Sequence, residues 1–219
     1  VRLSPSTTEQ LIDIINEANA LSVPFIILGN GTNVLVEDSG IDKAVIIIGS
    51  NMASTQLSGD EISFSAGTNL VNLCRLALEN SLSGLEFAFG IPGTCGGAIY
   101  MNAGAYGSEI SALCEYVDYL DVKSGKVCRV DACECDFGYR KSIFAENNYV
   151  ILGASLKLEK GNADELIANA KETMQKRIDK QPLEYPSCGS AFKRPEGYFA
   201  GALIEQSGLK GFSVGGAQV

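Results

Sequence analysis

Between residues 90 and 107, six of eighteen positions are glycine: Gly90, Gly93, Gly96, Gly97, Gly104 and Gly107. Glycine makes up roughly 7% of an average chain, so this stretch is stripped of side chains far beyond chance. Main chain without Cβ atoms is main chain that something approaches closely. A flat ligand lying along the backbone fits that description, and so does a second backbone packed against it. A smaller cluster, Gly29-Asn30-Gly31-Thr32-Asn33, follows the apolar run 25–28. Glycines there let successive N–H groups converge on a phosphate, with Asn30, Thr32 and Asn33 as further donors. A tight turn between two strands accounts for the same glycines. Neither cluster has the G-x-G-x-x-G spacing that runs directly into a helix, which argues against a regular dinucleotide-binding βαβ unit.

What the chain lacks narrows the chemistry. It has no histidine, which removes Ser-His-Asp triads, Cys-His dyads, imidazole acid–base catalysis and histidine metal sites together. The net charge of −9 argues against nucleic-acid binding and against an anionic membrane surface, both of which need a broad basic face. The cations are nonetheless uneven. Residues 1–75 contain only Arg2, Lys43 and Arg75, whereas Lys176, Arg177, Lys180, Lys193 and Arg194 crowd into nineteen positions opposed by Asp179 and Glu184. That clustering fits a local anion site or a solvated helix face. The seven cysteines are scattered without a C-x-x-C pair, which points to reduced structural thiols and not to a disulfide frame or zinc site. With no apolar run of about 18 residues and no signal-peptide pattern, the expectation is a cytoplasmic protein without membrane insertion, and no obligatory protein partner is indicated.

Apolar periodicity predicts the elements. Ser6 and Glu9 have capping-box spacing ahead of Leu11, Ile14, Ile15 and Ala18, which predicts a helix over 7–20 that packs on a sheet. Residues 25–28, 34–36 and 44–48 read as buried strands, and Ile62, Phe64 and Ala66 as a half-buried one. Asn69 opens a second helix. A hairpin with a two-residue turn is expected at Ser124-Gly125, between strands 117–122 and 127–130. Val150, Leu152, Ala154, Leu156 and Leu158 alternate as a strand, and a helix follows over 163–178. The irregular order of strands and helices predicts an α+β fold with a domain boundary near 160.

Two further segments carry candidate chemistry. Tyr139-Arg140-Lys141-Ser142 supplies a guanidinium that cannot lose its proton at neutral pH. The loop Pro186-Ser187-Cys188-Gly189-Ser190-Ala191-Phe192-Lys193-Arg194-Pro195 offers hydroxyls, a thiol and two cations between stiffening prolines. A surface arginine and a turn hydroxyl would look the same.

The run 28–36, the glycine-rich segment 90–107, residues 139–144 and the loop 186–195 occur in that order, and together they resemble the UDP-N-acetylenolpyruvoylglucosamine reductase (MurB) family of peptidoglycan-precursor enzymes. The similarity covers nearly the whole chain and continues through 199–203 and 208–217. It implies an FAD-binding domain of the vanillyl-alcohol-oxidase type over 1–160 and the start of a smaller α+β substrate-binding domain over 161–219. FAD would be held by Gly29, Asn30, Gly31, Thr32 and Asn33, by Gly90, Ile91, Pro92, Gly93, Thr94, Gly96 and Gly97, and by Asn102, Ala103, Gly104 and Ala105. It further implies that NADPH reduces FAD, and that the reduced flavin passes hydride to UDP-N-acetylglucosamine enolpyruvate, giving UDP-N-acetylmuramate. Ser190 matches the family's proton donor and Arg140 its stabiliser of the enolic intermediate; Lys180 and Arg194 match positions facing the UDP-sugar. The short connection after Phe144 places the chain with members lacking a tyrosine-bearing insertion. The family's third catalytic residue, a glutamate, is expected beyond Val219, and its opening strands before Val1, so the sequence reads as a piece of a longer protein. The competing readings are another FAD oxidoreductase of this fold and a non-catalytic nucleotide-binding fragment; the missing histidine and the Ser190 loop favour the reductase.

Overall fold

A computed structural model describes residues 1–187 and 189–219; the thiol of Cys188 in the serine loop lies outside the described residues. The chain divides into two compact units, Val1–Leu183 and Glu184–Val219.

The first unit opens with β1 (Arg2–Leu3), α1 (Thr8–Ala20), β2 (Phe25–Leu28) and β3 (Ala44–Ile47), which form an all-parallel sheet in the order β1-β3-β2. The helix cap sits one residue later than its sequence pattern suggests. Thr7, not Ser6, accepts the hydrogen bond from Gln10 N–H at 3.2 Å, and the Gln10 side chain accepts from Ser6 N–H at 2.8 Å. Leu11, Ile15 and Ala18 form the buried face of α1. Residues 34–36 are not a strand. Leu35 is 88% exposed, and with Val34, Val36, Ile26, Leu28 and Ile41 it borders an open apolar groove of about 320 Å³. The three apolar residues mimic a buried strand, but no neighbour in the described fold pairs with them.

A second sheet of the same unit contains β4 (Thr55–Ser58) and β5 (Glu61–Ser65). It is followed by α2 (Leu70–Glu79), capped by the Asn69 side chain, and by the two-residue strand β6 (Leu82–Ser83). The glycine-rich segment then gives α3 (Cys95–Tyr100) and the tight hairpin β7 (Gly104–Ala105) and β8 (Ser108–Glu109). β9 (Cys114–Asp121), β10 (Lys126–Asp131), α4 (Ile143–Glu146) and β11 (Tyr149–Lys157) complete an antiparallel sheet of order β10-β9-β11-β5-β4. The β9–β10 connection spans four residues instead of two, because Asp121 and Lys126 are the last paired positions; the Asp121 carboxylate accepts from Lys123 N–H and Ser124 O–H inside the loop.

β11 is the centre of this sheet. Val150, Ile151, Leu152, Ala154, Ser155 and Leu156 are all buried, so the strand is covered on both faces. Its alternating sequence hides this, since alternation ordinarily marks a half-exposed strand. Gly153 lies where its register with β9 shifts, and a Cβ there would come within 2.5 Å of the Phe64 carbonyl oxygen on β5. The short strand β12 (Glu159–Lys160) pairs with β6, and α5 (Ala163–Lys180) buries Leu166 and Ala170. The first compact unit, which ends at Leu183, includes this helix beyond the boundary expected near 160. The second unit consists of α6 (Ala200–Gln206) and the hairpin β13 (Ser213–Val214) and β14 (Ala217–Gln218). Among the described residues no helix is long and apolar enough to cross a membrane.

Four of the six described cysteines, Cys74, Cys95, Cys114 and Cys135, are buried, and Cys133 is exposed. Burial disfavours the thiolate, pushing Cys74 and Cys114 up to about 12 and Cys135 to about 11 from an ordinary value of 9.0. A thiolate-selective reagent at pH 8 should therefore label Cys133 rapidly and these four only after denaturation, as read by peptide mass. Gly153→Ala should lower unfolding free energy by about 1–3 kcal/mol in urea titration, because the added methyl must displace strand backbone.

Candidate active site

The two glycine clusters meet. Thr32 Oγ donates to the Pro92 carbonyl at 3.2 Å, and a Cβ on Gly29 would collide with the Thr94 side chain. The glycines do two different jobs. Gly96 N–H donates to the Ala66 carbonyl at 2.9 Å, and a Cβ on Gly96 would lie 2.6 Å from the Ala66 methyl and 3.1 Å from its backbone, so here the neighbour is protein. Cys95 N–H donates to Thr68 O at 2.7 Å and Leu70 N–H to Gly93 O at 3.1 Å, which lays residues 93–96 along 66–70. Gly31 and Gly93 differ: their φ values of +71° and +134° favour glycine, and no backbone presses on the space where a Cβ would stand, which is open at Gly31 and lies 3.2 Å from the Thr32 hydroxyl at Gly93. The half-buried Gly90, Ile91 and Gly93, the exposed Pro92 and Gly97, and the exposed turn 30–33 border the same region, and Thr94, which caps α3, is buried.

Residues 100–104 are joined to the loop 138–142. Gly138 and Lys141 exchange two hydrogen bonds of 3.1 Å, leaving Tyr139 and Arg140 at the tip of a two-residue turn, with Arg140 at φ +54°. The Arg140 guanidinium donates to the carbonyls of Asn102 at 3.2 Å and Gly104 at 2.8 Å. It thus sits against the glycine-rich segment although 36 residues separate it from Gly104 in sequence. The Asn102 side chain is fully buried, and both of its N–H groups are committed to protein acceptors, so that side chain has no donor left for a ligand; Ala103 and Gly104 beside it are half-buried.

Arg177 carries a signal that the sequence offered only as one member of a cluster. It packs on Gly90, where a Cβ would come within 3.2 Å of its side chain, and its Nε is buried without a hydrogen-bond partner. A buried charged donor left unpaired is costly. An anionic group against residues 90–93 would satisfy it. Elsewhere on α5, Lys176 pairs with Glu172 at 2.6 Å and stands 5.9 Å from the Tyr106 ring, and Lys180 is exposed in the last turn. In the second unit, Ser190 is exposed one residue after Gly189, whose N–H donates to the Ser187 hydroxyl at 3.2 Å, and the Arg194 guanidinium lies 4.2 Å over the Phe199 ring. Arg140, Lys180 and Arg177 are thus placed within one unit; Ser190 and Arg194 belong to the other.

Residues 1–131 match the FAD binding domain family, and residues 181–219 match the C-terminal domain of UDP-N-acetylenolpyruvoylglucosamine reductase. A reductase of that name from Caldanaerobacter subterraneus subsp. tengcongensis is 46% identical over 215 residues, covering 98% of this chain and 70% of the relative. One from Clostridium novyi is 45% identical over 217 residues, with 99% and 70% covered. The chain belongs to the UDP-N-acetylenolpyruvoylglucosamine reductase family. The crystal structure of the Thermus caldophilus member (MurB) superimposes with a TM-score of 0.83 at 33% identity, covering 100% of this chain and 76% of that one. The α+β fold expected from the sequence, with its FAD-binding domain first, is the family's fold. The connection between Phe144 and β11 is as short in three dimensions as in sequence, with α4 ending at Glu146 and β11 starting at Tyr149.

FAD fits these residues on two counts: a Cβ-free backbone with positive φ at Gly31 and Gly93, open at Gly31, and an orphaned cationic N–H at Arg177 beside Gly90. Gly93→Ala forces a methyl-bearing residue to φ +134°, a conformation that costs about 1–3 kcal/mol. The purified variant should hold roughly tenfold less FAD at equal cofactor concentration, measured by flavin absorbance per mole of protein.

Proposed function

We propose that the protein reduces UDP-N-acetylglucosamine enolpyruvate to UDP-N-acetylmuramate in the cytoplasm, with NADPH as reductant, as a step of peptidoglycan precursor synthesis. The observation that carries this reading is the Arg140 guanidinium, fixed on two carbonyls of the glycine-rich segment in a chain of this reductase family. When bound, FAD accepts hydride from NADPH and delivers it to the enolpyruvyl double bond. The backbone of residues 29–33 and 90–97 holds the cofactor, with Arg177 supplying charge beside Gly90. Ala103, Gly104 and Ala105 carry it further along the same backbone, and Asn102, whose main-chain N–H donates to the Ile99 carbonyl, contributes by contact and not by a free donor. The cofactor portion is assigned to residues 1–160 and the substrate portion, which includes Lys180, to 161–219.

Hydride addition to one carbon of the double bond leaves negative charge on the neighbouring carbon and its carboxylate. A permanently charged guanidinium stabilises that charge without giving up a proton. Arg140 spends two of its five N–H groups on the Asn102 and Gly104 carbonyls, which leaves three for substrate oxygens. Ser190 then gives its hydroxyl proton to the carbon. A neutral hydroxyl is a weak acid, and Lys193 and Arg194 in the same loop favour the alkoxide left behind. Lys180 and Arg194 bind the diphosphate and the sugar, with the guanidinium suited to paired phosphate oxygens.

The full-length protein should purify yellow and oxidise NADPH rapidly only when the enolpyruvyl substrate is added. Ser190→Ala should leave bleaching of the flavin by NADPH nearly unchanged while re-oxidation by substrate falls by about 10²- to 10⁴-fold, the usual worth of a general acid. A folded protein that takes up no FAD contradicts the proposal, and so does a Ser190→Ala variant with both half-reactions fast.

A further inference from the structure

Asn102 is a polar residue whose side chain is wholly committed to protein partners. It is fully buried, with φ +42°. Its Nδ2 donates to Glu109 Oε2 at 2.8 Å and to the Gly138 carbonyl at 3.0 Å, and its Oδ1 accepts from Ser111 N–H at 3.1 Å. Glu109 decides which way the amide points, because turning it over would set Oδ1 against two acceptors. Gly138 is the base of the two-residue turn that carries Arg140, and the Asn102 carbonyl receives the Arg140 guanidinium. One residue thus grips the turn at its base with its side chain and at its tip with its main chain. The far side of the loop is pinned by Ser142, fully buried, whose hydroxyl donates to the Tyr100 carbonyl at 2.7 Å.

We propose that Asn102, oriented by Glu109 and assisted by Ser142, is the positioning residue for Arg140, setting where its guanidinium stands relative to the glycine-rich segment. An arginine side chain is long and loses its placement readily unless its head is held. Here the holding groups are carbonyls of the segment that lies along the cofactor, so the position of the charge and that of the cofactor backbone are set together. Buried hydrogen bonds in a low-dielectric surrounding make that setting stiff. Misplacement of a charged group by about 1 Å costs on the order of 10²-fold in rate. The role rests on the proposed function for its chemistry and on the geometry alone for its mechanics.

The test pairs a deletion with a conservative change. Glu109→Ala removes the acceptor that orients Asn102; Glu109→Gln keeps an oxygen in that place. Ser142→Ala provides a second, independent loosening of the same loop. Rapid mixing of the full-length FAD-loaded protein separates bleaching of the flavin by NADPH from its re-oxidation by the enolpyruvyl substrate. Glu109→Ala and Ser142→Ala should slow re-oxidation by about 10- to 100-fold, with bleaching changed at least tenfold less, and Glu109→Gln should recover most of the loss. In parallel, labelling of Arg140 by phenylglyoxal, read by peptide mass, should rise several-fold in both loosened variants and not in Glu109→Gln. That labelling needs no turnover, so it tests the positioning even where the wild-type protein leaves the enolpyruvyl substrate untouched, a result that would count against the proposed function alone. Unchanged labelling of Arg140 in Glu109→Ala and Ser142→Ala overturns the inference. So does an equal slowing of both half-reactions, or a Glu109→Gln variant as impaired as Glu109→Ala.

Discussion

The first unit depends on how closely two backbones run together, residues 66–70 against 93–96. At Gly96 the approach leaves no room for a methyl group, since a Cβ there would stand 2.6 Å from that of Ala66. Cys95 and Gly96 N–H groups and the Gly93 carbonyl are hydrogen-bonded across the gap, so the segment is fixed by backbone and not by side-chain fit. This contact docks α3 onto the central strand β11 and orients everything downstream, from the positive-φ opening at Gly93 to the Asn102 corner. Both explanations of the glycine-rich stretch are therefore true at different positions. Gly96 is small because protein occupies the space; Gly31 and Gly93 are glycines because the chain turns there with positive φ.

A long-range clamp is built on that foundation. Residues 100–104 carry the Arg140 loop through hydrogen bonds from Asn102, Arg140 and Ser142, all spanning more than thirty residues of sequence. The proposed chemistry needs a charge beside a cofactor, and this arrangement obtains both from one stretch of chain. Arg177 adds a second cation, packed on Gly90 of the same segment, with its Nε waiting for an acceptor. An acidic protein without histidine can hold anions and stabilise a developing negative charge in this way, using arginines whose positions are set by carbonyl oxygens and glycine backbone.

Much of this was legible in the sequence, and the failures have physical causes. α1, α2, β3, β5 and β11 follow their apolar periodicity because each buries one continuous face or lies in the core, whereas β2, expected as a buried strand, is half-buried along its whole length. Residues 34–36 have the composition of a buried strand, but strand formation requires a pairing neighbour, which composition does not record. The hairpin connection is four residues long where the sequence suggests two, and the Asp121 carboxylate holds it by accepting from Lys123 N–H and Ser124 O–H. The boundary expected near 160 follows the end of a strand at Gly161-Asn162, and Leu166 and Ala170 of the helix beyond it are buried. Arg140 and the glycine clusters could be singled out by residue type. The Asn102–Glu109–Gly138 network could not, because its members are ordinary polar residues whose importance comes from burial, and Arg177 stood among four other cations with nothing in the sequence to single it out.

The most direct test of the account is a crystal structure of the full-length protein with FAD and UDP-N-acetylmuramate bound. The account predicts the pyrophosphate within hydrogen-bond distance of main-chain N–H groups in residues 29–33 and 90–97, an acceptor on Arg177 Nε, and the Arg140 guanidinium still seated on the Asn102 and Gly104 carbonyls while it contacts the product carboxylate. A cofactor bound away from the two glycine clusters, or an Arg140 released from those carbonyls and remote from the product, would contradict it.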